Sequence, residues 1–231
     1  MSKKGGSRHY VRQRAAKQLG VVSRKKVKWL LAPAPGMHKK TESISAGVLL
    51  RDVLHRAQNL HEAKRILNSG QMLLDGKKAD VKAAIGLMDV ISEPAEKKSY
   101  RMSLSGENIA PKELKGDASS RKYLKVTGKR TIRGGKNQIA FHDGRTALLD
   151  KNIMTGDTRV LSIPEFKLVA HLKFGTGAKC LVTHGKHTGE IAVLEKLIER
   201  PGSHDTEALM ASESGKFVTV SKYLFVIDEK F

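Results

Sequence analysis

Lys3, Lys4, Arg8, Arg12, Arg14, Lys17, Arg24, Lys25, Lys26, Lys28, Lys39 and Lys40 all lie within the first forty-one residues, and no Asp or Glu stands among them. Residues of this type at this spacing suit one chemistry above others. Each carries a cation on a long stem that can neutralise an anionic oxygen, and an uncompensated run repels itself in water until a dense polyanion lies along it. Smaller basic groups recur at Lys64-Arg65, at Lys77-Lys78, and at Lys129, Arg130, Arg133 and Lys136 around Gly134-Gly135. Residues without a Cβ at such a turn let the backbone approach a phosphate closely.

Other chemistries need patterns that this chain lacks. Cys180, His184 and His187 offer three zinc donors, but a closed structural site takes four and the chain has a single Cys. Cys180 therefore reads as strand core, and the two histidines as an exposed turn. His142 beside Asp143 has the types of two triad members, yet neighbours on an extended strand point to opposite faces. Asp143-Gly144 reads as a hairpin turn instead. Gly175-Thr176-Gly177-Ala178-Lys179 has the composition of a phosphate loop without its spacing. The expectation is a protein with no catalytic residue, no metal site and no cofactor.

The formal net charge of +20 is unevenly spread, with a surplus in the first forty-one residues and a second one over residues 111–170. Residues 171–231 carry eight basic and eight acidic side chains. A membrane-binding helix needs a broad apolar face, and Arg8, Arg12, Arg14 and Lys17 leave little room for one. Nucleic acid is therefore the expected partner, not a membrane. One Cys excludes an internal disulfide, and neither a signal peptide nor an apolar run of membrane-spanning length is visible. The chain reads as cytosolic.

The elements that must position these groups follow from periodicity. Trp29-Leu30-Leu31-Ala32-Pro33-Ala34-Pro35-Gly36 is a tether whose prolines deny a helix its donors and whose apolar residues could dock on a neighbouring domain. From Ser45 a helix is expected, with Val48, Leu49, Val53 and Leu54 on one face and Arg51, Asp52, His55 and Arg56 on the other. A second helix starts at Asn59 as N-cap with Glu62 as its capping-box partner. It buries Leu60, Ala63, Ile66 and Leu67 and ends at Ser69-Gly70. Gln71 to Asp75 reads as a strand, Asp75-Gly76 as its turn, and Leu87 to Ile91 as another strand. Five alternating stretches then predict a mostly antiparallel sheet or barrel: 123–127, 138–141, 145–149, 158–163 and 166–172. Residues 178–194 read as strand, glycine-marked turn and strand, with Lys186 at the tip, and 207–227 supplies further short strands.

Several of these segments carry a resemblance. Residues 48–80 with Gly86-Leu87-Met88-Asp89-Val90-Ile91-Ser92 resemble the small RNA-binding fold named after the fourth ribosomal protein of the small subunit. That fold presents basic residues of its two helices to RNA, which implies contacts from Arg51, His61, Lys64, Arg65, Lys77 and Lys78. Residues 178–194 are similar to the KOW hairpin. Trp29, Pro33 to His38, Ala63 to Leu67, Phe141-His142-Asp143-Gly144-Arg145, Val182-Thr183 with Gly185, and Phe225-Val226-Ile227 extend the likeness over nearly the whole chain. Together they resemble the archaeal and eukaryotic type of small-subunit ribosomal protein four. His38, Lys39, Lys40, Arg145 and Lys186 join the RNA-facing set on this resemblance.

The resemblance implies an α+β, multidomain protein. Its expected parts are a basic extension at 1–42, a two-helix RNA-binding fold at 43–105, a central β-rich domain at 106–172, and an SH3-like β-barrel with a KOW hairpin at 173–231. It implies a non-catalytic constituent of the small ribosomal subunit, bound to its rRNA and to neighbouring ribosomal proteins, in single copy. The alternatives are an RNA-modifying enzyme, which would need a catalytic domain that the residues after 92 do not suggest, and a KOW-type transcription factor.

Overall fold

A computed structural model describes residues 9–11, 22, 28–114, 116–149, 152–202, 205–213, 215–228 and 231, with the backbone alone at 9–11 and 149. The described chain divides into two compact units, one built from residues up to 103 with 108–119, the other from 104–107 with 120–231.

In the first unit, β1 (His9–Val11) pairs antiparallel with β2 (Trp29–Leu31). Leu30, Leu31 and Ala32 are buried while Trp29 is exposed, so the tether docks by its second and third apolar residues and not by its indole. β3 (Ile44–Ser45) pairs with β6 (Ala84–Ile85), and between them lie α1 (Ala46–Val48), a π-helical turn (Leu49–Val53) and α2 (Leu60–Ser69). The first expected helix is thus shorter and buried all round from Ala46 to Leu50, not along one face. Its first donors are spent outside the helix, since Ala46 N–H bonds Ala83 O and Gly47 N–H bonds Val81 O, each at 2.9 Å. Gly47, Val48 and Val53 also propagate a helix poorly.

The second helix follows the expected signals closely. Asn59 Oδ1 accepts from Glu62 N–H at 2.9 Å, and Gly70 closes the C-terminus at φ +83°. The Glu62 carboxylate accepts from Gln58 N–H (2.8 Å), one residue before the position that a standard capping box serves. Ala63 and Leu67 are buried, whereas His61, Lys64, Arg65 and Asn68 face solvent. β4 (Leu73–Leu74) then turns through Asp75 (φ +49°) and Gly76 (φ +74°) into β5 (Lys77–Lys78). Two consecutive left-handed residues make the tight hairpin that an Asp-Gly pair favours.

The remaining strands of this unit are β7 (Val90–Glu93), β8 (Lys98–Ser105) and β9 (Asn108–Leu114), and the sheet order is β5-β4-β7-β8-β9. Leu87 and Met88 form a turn instead of the start of a strand. Asp89, fully buried, accepts from Gly86 N–H through Oδ2 (2.9 Å), and Met88 takes φ +67°. The boundary drawn at 105/106 falls inside the β8–β9 hairpin, whose strands share one sheet.

The second unit holds two five-stranded antiparallel sheets. The first runs β12-β11-β10-β13-β14, from β10 (Arg121–Thr131), β11 (Asn137–Phe141), β12 (Thr146–Leu149), β13 (Thr158–Ser162) and β14 (Leu168–Leu172). These are the five stretches that alternation predicted. The other runs β18-β17-β16-β15-β19, from β15 (Lys179–Val182), β16 (Ile191–Ile198), β17 (Glu207–Ser212), β18 (Gly215–Val220) and β19 (Leu224–Val226). Each sheet covers its own apolar cluster, one around Leu124, Val126, Ile139, Phe141 and Ile153, the other around Cys180, Val182, Leu194, Met210 and Val226. No pairing joins the edges β18 and β19 among the described residues. Overall the protein is mostly β with few helices, and among the described residues no helix is long and apolar enough to cross a membrane.

Candidate nucleic-acid interface

Nine of the basic residues expected to meet RNA lie outside the described residues: Lys3, Lys4, Arg8, Arg12, Arg14, Lys17, Arg24, Lys25 and Lys26. The others separate into groups held toward solvent and groups engaged by the protein itself.

The first unit gathers five of them on two adjoining elements. α2 presents His61, Lys64 and Arg65 along its outer face, because residues three and four apart lie on the same side of a helix. Lys77 and Lys78 follow on β5, both exposed. Lys78 lies across the end of α2: a Cβ placed on Gly70 would stand 2.9 Å from Lys78 Cε and 3.6 Å from its Nζ. The negative end of a helix dipole favours a cation there. Lys64 and Arg65 thus stand on the outer face of α2, and Lys78 stands at its C-terminal end, placed there by the two-residue turn.

In the second unit the basic turn projects beyond the five-stranded core. β13 pairs with β10 only over Arg121–Lys125, so the rest of β10 runs on with β11 alone as its partner. A bulge between Val126 and Gly128 resets the alternation. Lys129 consequently pairs with buried Ile139 on the core side, and its Nζ donates to Ile153 O at 3.2 Å. Arg130, opposite Gln138, takes the other side and is exposed. Arg133, Gly134, Gly135 and Lys136 form an exposed tip, closed by Ile132 N–H to Lys136 O (2.9 Å). Gly134 (φ +86°) and Gly135 (φ +69°) occupy the left-handed region, and a Cβ on either would meet nothing within 4 Å.

Further predicted residues have protein partners. His38 is a correction: its imidazole is 4 % exposed, with Nε2 2.9 Å from Asp89 Oδ2, and its ring lies where a Cβ on Gly86 would be (2.6 Å). It fastens the linker to the first unit, with its ring turned into the protein and away from solvent. Arg51 forms a two-pronged pair with Asp52, at 2.7 and 3.1 Å. Arg145 Nε stands 3.2 Å from Asp143 Oδ2, and its guanidinium sits 4.4 Å from the Phe166 ring centroid, a cation–π contact. Asp143 is itself fully buried beside Lys122 Nζ at 3.6 Å, so this turn residue is also a counterion. Lys39 lies near Glu42 (3.6 Å) and remains largely exposed.

Lys28 and Lys40 are exposed beside the tether, and Lys186 is exposed on the connection from β15 to β16. Gly185 (φ +96°) and Gly189 (φ +87°) shape that connection in left-handed conformations, as the spacing predicts. His187 stacks on Phe217 (4.0 Å, 12°) with Nδ1 3.1 Å from Glu190, so it is packed where an exposed turn residue was expected. Cys180 is fully buried in β15, and burial pushes its thiol up to about 12.

Sequence reading missed Arg56, which bridges Glu93 (2.8 Å) and Glu96 (2.7 Å) and is held in its charged form by those hydrogen bonds. It also missed Lys125, whose Nζ donates to Lys222 O (2.7 Å) and whose pKa burial pushes down to about 8. Neither has a signal in the one-dimensional pattern, since the partners are 37 and 97 residues away.

Comparison with known proteins first gives the class. The crystal structure of the 30S ribosomal protein S4e from Thermoplasma acidophilum is similar to this chain with a TM-score of 0.69 and 31 % identity, over 82 % of this chain and 97 % of that one. The fold is that of a ribosomal protein. The small ribosomal subunit protein eS4 of Methanosphaera stadtmanae is 35 % identical over 97 % of this chain and 94 % of its own length, and that of Korarchaeum cryptofilum is 39 % identical over 84 % of each. The sequence pattern of ribosomal family S4e matches residues 96–168. The chain belongs to ribosomal family S4e.

Proposed function

We propose that this protein is a non-catalytic, structural constituent of the small ribosomal subunit that binds small-subunit rRNA through phosphate and shape contacts. The observation that carries the reading is the exposed set Lys64, Arg65 and Lys78, held on α2 and at its C-terminal end by β5, within a chain of net charge +20. Cations held on rigid elements position a protein on an RNA backbone, and an A-form duplex, whose major-groove edges are out of reach, is then recognised by shape. Arg130, Arg133 and Lys136 on the open ribbon tip supply a second phosphate-binding group, and the arm supplies affinity by displacing counterions. Residues 173–231 act as a small SH3-like barrel carrying a KOW hairpin with Lys186 at its turn. The protein works in single copy, beside other proteins of the subunit.

The test is binding of the full chain to small-subunit rRNA and to an unrelated structured RNA of equal length, at low and at physiological salt. A preference for the rRNA that survives physiological salt is the expected result. Equal affinity for both RNAs under that condition would remove the reading.

A further inference from the structure

Trp29 is 52 % exposed, although the residues that follow it on β2 are Leu30 at 1 % and Leu31 at 7 %. A flexible tail could swing such a ring anywhere, but this ring is on a fixed backbone. Trp29 pairs with Val11 across the β1–β2 ladder, Ser45 Oγ bonds Leu31 O (3.2 Å), and Ala34 N–H bonds Lys82 O (2.7 Å) just beyond. Lys28 Nζ stands 5.3 Å from the ring centroid. The surrounding sequence has no acidic residue before Glu42, while Arg8 and Arg12 flank β1 and Lys25, Lys26 and Lys28 precede β2.

We propose that the Trp29 indole is a stacking platform for an unpaired nucleobase of the bound RNA, a reading that rests on the RNA-binding function above. A large exposed π-face beside the Lys28 ammonium, in a segment with no acidic residue before Glu42, matches both parts of a nucleotide. The ring takes the base, and the neighbouring ammonium takes the phosphate. Bases within a continuous duplex are already stacked, so the partner is a loop, bulge or end. A protein partner would need further apolar surface around the ring, but Leu30 and Leu31 beside it are buried and Lys28 before it is a cation. One ring marks a single anchoring nucleotide and not a track along a strand.

Trp29 is the only tryptophan in the chain, so indole emission reports this position alone. The full chain is titrated with small-subunit rRNA and with a continuous RNA duplex, while anisotropy of dye-labelled RNA follows binding independently. Strong quenching at saturation with rRNA and little with the duplex is expected. Trp29→Ala should weaken rRNA binding roughly ten-fold with duplex binding unchanged, and Trp29→Phe should restore most of the loss. Saturating rRNA binding with unchanged emission overturns the proposal while leaving the rRNA-binding reading standing, and so does equal quenching by both RNAs. Absence of rRNA binding by anisotropy removes both.

Discussion

Lys125, half-buried, and Cys180, fully buried, show how two groups in one unit can hide each other's titration. Burial pushes the Lys125 pKa down from 10.5 to about 8. Between those values the unfolded chain holds a proton that the folded chain lacks, so this group makes stability rise with pH. Burial pushes Cys180 up from 9.0 to about 12. Above pH 9 the folded chain keeps the thiol proton that the unfolded chain releases, so stability falls. The opposing slopes overlap from about pH 9 to 10.5, where the native protein should show a flat stability profile. Cys180→Ala removes the falling slope, and its urea midpoint should climb from pH 9 to 10.5 even though the lost side chain lowers stability at every pH. A variant profile as flat as the parent's would sink this account. The same pairing logic explains what was illegible at this scale. Residue type alone marks His38, Arg51, Lys129 and Arg145 as surface cations or donors. In the fold they meet Asp89, Asp52, Ile153 O and Asp143, with Lys129 still exposed, and only Asp52 and Asp143 are close in sequence.

Secondary elements were legible wherever local chemistry specifies them. Asn59 caps α2, Gly70 ends it, Asp75-Gly76 turns β4 into β5, and the glycines at 185 and 189 shape the connection between β15 and β16. The π-helical turn at Leu49–Val53 was not, because it answers to tertiary packing around Gly47, nor was the β8–β9 hairpin, although Gly106-Glu107 is a readable turn. Two predictions belong here. Reversing Lys64 and Arg65 to Glu changes only exposed positions of α2. Such changes usually move stability by no more than about 0.5 kcal/mol, so calorimetry should show nearly the parent unfolding while rRNA affinity drops. An undiminished affinity would shift the contact surface to the ribbon tip. Gly189 tests backbone geometry: a Cβ there would stand 2.6 Å from Gly106 O, in addition to the cost of φ +87°. Gly202 has φ +86° with nothing within 4 Å. Each Ala variant should lose roughly 1–3 kcal/mol from left-handed strain, and Gly189→Ala more than Gly202→Ala because of the clash. Equal denaturant midpoints for the two would mean that the close approach to Gly106 carries no weight.

At the scale of the molecule, charge and fold divide the work. Residues 171–231 balance eight basic against eight acidic side chains, so the charge surplus lies before them, where the proposed contacts of the arm, of α2 with β5, and of the ribbon tip are found. The order of these parts was readable from sequence. Their grouping into two compact units was not, because it depends on which segments pack: Leu30, Leu31 and Ala32 are buried, which ties the end of the arm to the first unit. Deleting the whole arm would therefore strip core residues as well as charge, and a cleaner experiment keeps the chain length. Lys3, Lys4, Arg8, Arg12, Arg14, Lys17, Arg24, Lys25 and Lys26 are replaced by Gln, leaving Trp29 and the residues after it intact. If the parent neutralises about eight phosphates, its rRNA affinity should fall by roughly three to five powers of ten between 50 and 200 mM salt. Every phosphate that the arm ceases to neutralise flattens the slope of log affinity against log salt by about 0.9 for duplex, somewhat less for single strands. The substituted protein should thus bind more weakly with a shallower slope, yet retain its preference for small-subunit rRNA over unrelated RNA. In the proposed function that preference comes from cations held at fixed positions on folded elements, which the substitutions leave in place. Loss of the preference together with the affinity would mean that the arm itself reads the RNA, and that the folded units follow it.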